Sequence, residues 1–193
     1  MAAPEQPVMR FVDVVVFEAW MEDNHAVSDG IWIEFAKKGS GHRSVVYAEV
    51  LDVALCFGWI DGQAKAVDDA WYRQRWTPRR PRSPWSLRNV GKAQELVAAG
   101  RMRPAGHAEI ERAKADGRWD RAYAGPATMG VPDDLQAVLD ADPAAAAFWE
   151  TLPKTARYSF LYRLHEAKRE ETRARRLSQY AQMLREGRRL DRP

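Results

Sequence analysis

The stretch VVYAEVLDVALCFG, residues 45–58, constrains the fold more than any other part of the chain. Val46, Val50, Val53 and Phe57 recur at helical spacing, and Gly58 stands where a helix stops, so one face of this helix must be buried. Two extended segments follow at once. WIDGQAK (59–65) reads as a short strand kinked at Asp61-Gly62, and AWYRQRW (70–76) as a second strand. On the latter, Trp71, Arg73 and Arg75 share one face, and Tyr72, Gln74 and Trp76 the other. A helix with an apolar stripe leading directly into paired strands predicts an α+β fold, a small antiparallel or mixed sheet with packed helices.

Upstream, SDG turns the chain into IWIEFA (31–36), whose alternation predicts a half-buried strand. FVDVVVF (11–17), β-branched and aromatic, reads as a strand or short buried segment, with a helical stretch over about 18–25. Ser44 stands where an N-cap belongs. Downstream, Ser86 is expected to cap a helix that Gly100 ends, and Pro104 to start another that runs to about Ala115. Residues 120–131 read as a linker. Helices are then expected over 133–140, from Asp142-Pro143 to Leu152, over about 153–168, and after Thr172, where Leu177, Tyr180, Ala181 and Leu184 form one stripe. The boundaries are an α+β domain over 1–125 and a helical C-terminal module over 126–193.

With 193 residues, 46% of them hydrophobic, and eight tryptophans, the chain has enough apolar surface for a core. Its single cysteine, Cys56, rules out an internal disulfide and fits a reducing compartment; its setting on an apolar face reads as a small buried hydrophobe. The N-terminal MAAPEQPVMRFVDVVVF has no basic region ahead of its apolar run, and no run approaches about twenty apolar residues. A cytoplasmic location without direct membrane insertion is the expectation. The four histidines are scattered, so no metal site is expected, and no cofactor motif occurs. GSGHRS (39–44) lies between a strand and a helix but matches neither a P-loop nor a dinucleotide fingerprint. A tight connection accounts for it, with anion contact by Lys37, Lys38 and the loop amides as the sharper alternative.

Charge is segregated. Net formal charge is −7 over residues 1–71, +8 over 72–121, −5 over 122–153 and +7 over 154–189. Either acidic and basic blocks dock on each other, or a basic block forms an anion-binding surface. The centre of the first basic block is TPRRPRSPWS (77–86). Pro78, Pro81 and Pro84 recur every three residues, the polyproline II repeat, which predicts a stiff extended segment with Arg79, Arg80, Arg82 and Ser83 on its other edges. Arginine forks suit phosphate or carboxylate, and Trp76 and Trp85 bracket the run with flat faces. The best acid–base candidate is Asp61, in the apolar context FGWIDG; the bland alternative is a turn-former ahead of Gly62.

The blocks ALCFGWIDGQ (54–63), TPRRPRSPWS (77–86), GRMRPAG (100–106) and AKADGRWDRAY (113–123) together resemble the YdeI/OmpD-associated, or bacteriocin-protection, family. The stretch AAAAFWETLPKTARYSFLYRLHEAKREETRARRL (144–177) is similar to that family's helical module. The resemblance implies a bacterial protein tied to protection against bacteriocins or to envelope stress, and it carries over no catalytic residue. The motif positions it marks are Trp59, Asp61, Gly62, Arg79, Arg80, Arg82, Ser83, Trp85 and Asn89.

Taken together, these features lead to the expectation of a protection or resistance protein that binds an anionic or aromatic ligand in a cleft between the strand layer and the 77–86 segment. Arg79, Arg80 and Arg82 would neutralise charge, Trp59 and Trp85 would stack, and Asp61 with Asn89 would orient polar groups. The partner is a small molecule or peptide, with nucleic acid as a further candidate; no cofactor is implied and the oligomeric state is open. The rivals are an enzyme using Asp61 as general acid or base, and a module whose C-terminal helices recruit a partner.

Overall fold

The computed structural model describes residues 6–190, which divide into two compact units between Ala122 and Tyr123. The first is α+β. Its elements are β1 (Val8–Met9), α1 (Val14–Asn24), β2 (Ile31–Ala36), α2 (Tyr47–Cys56), β3 (Trp59–Ala66), β4 (Trp71–Pro78), α3 (Leu87–Ala98) and α4 (Pro104–Ala115). The four strands form a mixed sheet in the order β1-β2-β4-β3, with β1 parallel to β2 and the other pairs antiparallel. Register places Ile31, Ile33 and Phe35 opposite Trp76, Gln74 and Tyr72 on one face. That face meets Phe17 and Met21 of α1 and Val50, Leu51 and Val53 of α2, all essentially without solvent exposure. Burying each such side chain stabilises by about 1.5–3 kcal/mol before conformational entropy is subtracted.

Two local readings are corrected. FVDVVVF is not a strand: the Asp13 carboxylate accepts the Val16 amide hydrogen at 3.1 Å and starts α1 within the β-branched run, leaving Val15 and Val16 exposed. The edge strand is the shorter Val8–Met9. Ser44 does not cap α2. Its hydroxyl accepts from the Ala36 amide at the end of β2, while Val46 is the N-cap, and the Glu49 carboxylate accepts the Val46 amide.

α2 ends as its sequence predicts, with Gly58 at φ 74°. Cys56 is buried at its end, and burial pushes the thiol up to about 11, which keeps it protonated and unreactive at neutral pH. β3 carries a register irregularity between Asp61 and Ala64, the structural form of the expected kink.

The second unit is helical: α5 (Asp133–Ala141), α6 (Pro143–Thr151), α7 (Lys154–His165) and α8 (Glu170–Arg185). Asp142 caps α6 by accepting from the amides of Ala144 and Ala145, with Pro143 at the first helical position. Its core gathers Leu135, Trp149, Phe160, Leu164, Tyr180 and Leu184. Arg173 ties three helices together. It grips Asp134 through two hydrogen bonds of 2.6 and 2.8 Å and donates to the Leu164 carbonyl at 2.9 Å.

Charge blocks dock within each unit. In the first, Lys92 pairs with Asp52 at 2.6 Å, and Arg103 with Glu22 at 2.6 Å. In the second, Arg173 pairs with Asp134, Arg185 with Asp142 and Arg157 with Glu150. Arg173 holds the Asp134 carboxyl below its usual range, chiefly through its hydrogen bonds. A lowered carboxyl pKa contributes stability above the unfolded value of about 4, and that stability is lost as pH falls toward the folded value. Arg173→Met should therefore flatten the acid branch of the melting temperature measured from about pH 5 downward.

Among the described residues no helix is long and apolar enough to cross a membrane.

Candidate functional site

The 77–86 segment is ordered, but it is not a polyproline II rod. β4 runs through Thr77 and Pro78, and the Arg79 amide donates to the Gly58 carbonyl at 3.0 Å. Residues 80–83 then close a β-turn. The Ser83 amide donates to the Arg80 carbonyl at 2.9 Å, and the Arg80 amide donates to the Ser83 hydroxyl at 3.1 Å. Strand pairing on one side and reciprocal turn hydrogen bonds on the other outweigh the proline period.

This geometry splits the arginines. Arg79 is turned inward and 5% exposed, its guanidinium carbon 3.6 Å from the centre of the Trp85 ring and its Nη1 donating to the Pro84 carbonyl. Arg112 donates to the Arg79 carbonyl at 3.4 Å. Arg118, anchored on both oxygens of Asp116, donates to the Ser83 carbonyl at 2.8 Å. Burial pushes the carboxyl pKa of Glu109 on α4 up, against the lowering charges of Arg112, Arg79 and Arg118. Arg79 is thus packed within its own segment, on Trp85, while Arg112 of α4 holds its carbonyl. Arg80 and Arg82 are exposed.

The two indoles expected to stack on a ligand are taken up by the core. Trp85 is 2% exposed and packs edge-on to Trp119 at 4.9 Å. Trp59 is 1% exposed, packs on Trp20, and its indole N–H donates to the His25 carbonyl. Asn89 is also buried, in the first turn of α3, where its backbone amide donates to the Ser86 cap. Sequence could identify these side chains as valuable to bury but not say against what.

What remains is a cleft of about 680 Å³ between the end of the sheet and residues 78–81. Gln6 and Pro7 form one wall and Ser28, Asp29 and Gly30 another, while Arg75, Thr77 and Pro78 to Pro81 close it. Gly30 is required there. Its φ is 131°, and a Cβ would lie 2.7 Å from both the Trp76 carbonyl oxygen and Thr77 Cγ2. Arg75 is oriented by donating from Nε to the Gln6 amide oxygen at 2.7 Å, and Gln6 in turn donates to the Asp29 carbonyl at 2.7 Å. Three arginines, Arg75, Arg79 and Arg80, therefore line the cleft with one acidic residue, Asp29, although the Arg79 guanidinium itself is turned inward onto Trp85. Of these residues only Arg79 and Arg80 were candidates from sequence; Arg75 could have been found from its place on the outward face of β4.

Asp61 lies elsewhere, on the inner face of β3 opposite Trp76. It is half-buried and accepts the Tyr47 hydroxyl at 3.0 Å, while Gln74 donates to the Gly62 carbonyl at 2.6 Å across the kink. Gly62 is exposed, and a Cβ there would meet only ordinary contacts with Arg75. Burial first, and the Asp61 charge second, push Tyr47 up to about 12. The pair is a phenol donating to a carboxylate, and Tyr47 is no base at neutral pH. A raised phenol pKa contributes stability below about pH 10 that is lost as pH rises toward 12. Asp61→Asn should bring the Tyr47 titration down, read as earlier tyrosinate absorbance in an alkaline titration.

The GSGHRS loop borders a second depression, of about 490 Å³, lined by Lys37, Lys38, His42 and Arg43 together with Tyr47 and Tyr72. Lys37 is turned to the Asp68 carbonyl, and Glu49 already occupies the start of α2.

The fold class is therefore an α+β unit followed by a helical one, with a basic cleft in the first. Residues 9–109, more than half of the chain, match the family described as Domain of unknown function (DUF8412), and the chain belongs to it. Residues 128–187 match the family model described as Bacteriocin-protection, YdeI or OmpD-Associated. That match is confined to the helical part, so the motif blocks at 54–63, 77–86 and 100–106 fall within the first family. No curated protein and no solved structure matches the chain.

Proposed function

We propose that the protein is a protection or resistance protein that binds a small anionic ligand in the cleft of about 680 Å³ beside residues 78–81. The observation that carries this reading is the convergence of Arg75, Arg79 and Arg80 on one concave site whose floor is kept open by Gly30. Arg75, aimed by Gln6, and the exposed Arg80 supply the contacts to the ligand. Arg79, held on Trp85, contributes charge from beneath. The match of residues 128–187 to the bacteriocin-protection family supports the protective role, and a cytoplasmic location fits the lone buried cysteine.

The test is a thermal-shift screen with nucleotides, inorganic phosphate and di- and tricarboxylates. A ligand bound at about a hundred times its Kd adds about 2.7 kcal/mol to stability. Arg80→Ala should weaken that ligand about tenfold, in line with loss of a charge-assisted hydrogen bond. No shift with any anion, or a shift indifferent to Arg80→Ala, sinks the reading.

The Tyr47–Asp61 hydrogen bond supports a second reading, an enzyme in which Asp61 serves as acid or base. It requires that Asp61→Asn keep ligand binding and abolish turnover.

A further inference from the structure

We propose that the outer face of the sheet binds single-stranded nucleic acid. The register that directs Ile31, Ile33 and Phe35 into the core directs Trp32 and Glu34 of β2, Arg73 and Arg75 of β4 and Lys65 of β3 to the opposite face. None of these side chains belongs to the hydrophobic core.

On this face cations outnumber carboxylates. Its one carboxylate in this set, Glu34, is neutralised by Arg10 at 2.7 Å, and Arg10 in turn lies 4.1 Å over the Trp71 ring. Lys92 and Arg103 find carboxylates elsewhere in the unit, whereas among the described residues Lys65, Arg73 and Arg75 form no ion pair. Lys65 and Arg73 rest instead on the half-buried Trp32 ring, at 5.1 and 5.0 Å from its centre. They are also directly opposite in register, a like-charge arrangement that costs the sheet stability. Arg73 Nε is shielded from solvent with no hydrogen-bond acceptor. A polyanion crossing the strands would relieve the repulsion between Lys65 and Arg73.

The indole decides which polyanion. Single strands offer unstacked bases to aromatic side chains and phosphates to the cations around them, and a flat sheet face accommodates both. A duplex keeps its base faces stacked, and an acidic polypeptide has no flat group for Trp32. The inference goes beyond the cleft and stands on different residues apart from Arg75, which borders both.

The experiment is fluorescence anisotropy of a labelled oligothymidylate of about twelve nucleotides with the full chain, beside a duplex of equal length and polyglutamate as competitor. Binding in the micromolar range is expected, falling roughly twentyfold between about 50 and 200 mM salt if three phosphates are contacted. Lys65→Ala with Arg73→Ala, and separately Trp32→Ala, should each weaken it about tenfold or more, while Trp32→Phe retains it. Should Trp32→Ala lower the melting temperature, the Lys65/Arg73 pair alone decides. Equal affinity for duplex, equal competition by polyglutamate, unchanged binding by the pair variant, or no binding near 100 μM at low salt overturns the proposal. Oligonucleotide anisotropy and the small-anion thermal shift are independent readouts, so failure of one reading is distinguishable from failure of the other.

Discussion

Replacing Trp85 by alanine should destabilise the first unit by about 3–5 kcal/mol, the usual cost of truncating a buried aromatic side chain. For a unit of this size that is a fall of about 10 °C or more in melting temperature, measured by near-ultraviolet circular dichroism. The indole does more than fill space. It carries the Arg79 guanidinium on its face and packs edge-on to Trp119, so its loss also exposes a buried cation's bed. Trp85→Phe keeps a flat ring under Arg79 and should cost distinctly less. An alanine variant melting within about 2 °C of the parent would show that the 77–86 segment is not anchored as described.

The second large effect is expected at Gly106, in the first turn of α4. A Cβ there would collide with the Cys56 carbonyl oxygen and the Met102 sulfur, and would sit 2.8 Å from the Leu55 carbonyl oxygen. Two of the three obstacles are backbone at the end of α2, where the Cys56 carbonyl also accepts the Arg103 amide. Gly106→Ala gains about 1 kcal/mol of helix propensity but must push α4 away from α2, at an overpacking cost of about 1–3 kcal/mol or more. Net destabilisation is the expected result. Gly91 in α3 supplies the contrast: nothing lies within 4 Å of its would-be Cβ, so Gly91→Ala should stabilise by up to about 1 kcal/mol in the same melt. Identical signs for the two variants would refute the close-approach argument.

Much of the α+β architecture was readable because its signals were local. The apolar stripe ending at Gly58 and Asp142-Pro143 at a helix start are satisfied within a few residues of themselves, and the alternation in IWIEFA and AWYRQRW is visible within each strand even though the two pair with each other across the chain. Readings failed where a competing local interaction or a distant partner decided the outcome. In FVDVVVF one carboxylate cap overrode β-branched preference. In TPRRPRSPWS the proline period pointed to one conformation, but a β-strand partner at Gly58 and the Arg80–Ser83 turn selected another. The candidate site was legible in part. Arg80 is exposed at the cleft, whereas Trp59, Trp85 and Asn89 carry the same chemistry inward, and Gln6, Ser28 and Gly30 reach the cleft only through the sheet's parallel first strand and the loop before the second. Neither direction of a side chain nor a meeting of residues more than forty positions apart is written in a motif.

The matching of acidic to basic blocks inside each unit carries a consequence for how such a chain can change over time. Within the first unit Asp52, Glu18 and Glu22 act as counter-ions, and within the second Asp134, Asp142 and Glu150. A gene fusion or fission near residue 122 would leave these six pairs intact. The two separate family matches, 9–109 and 128–187, are what assembly from transferable parts would leave behind.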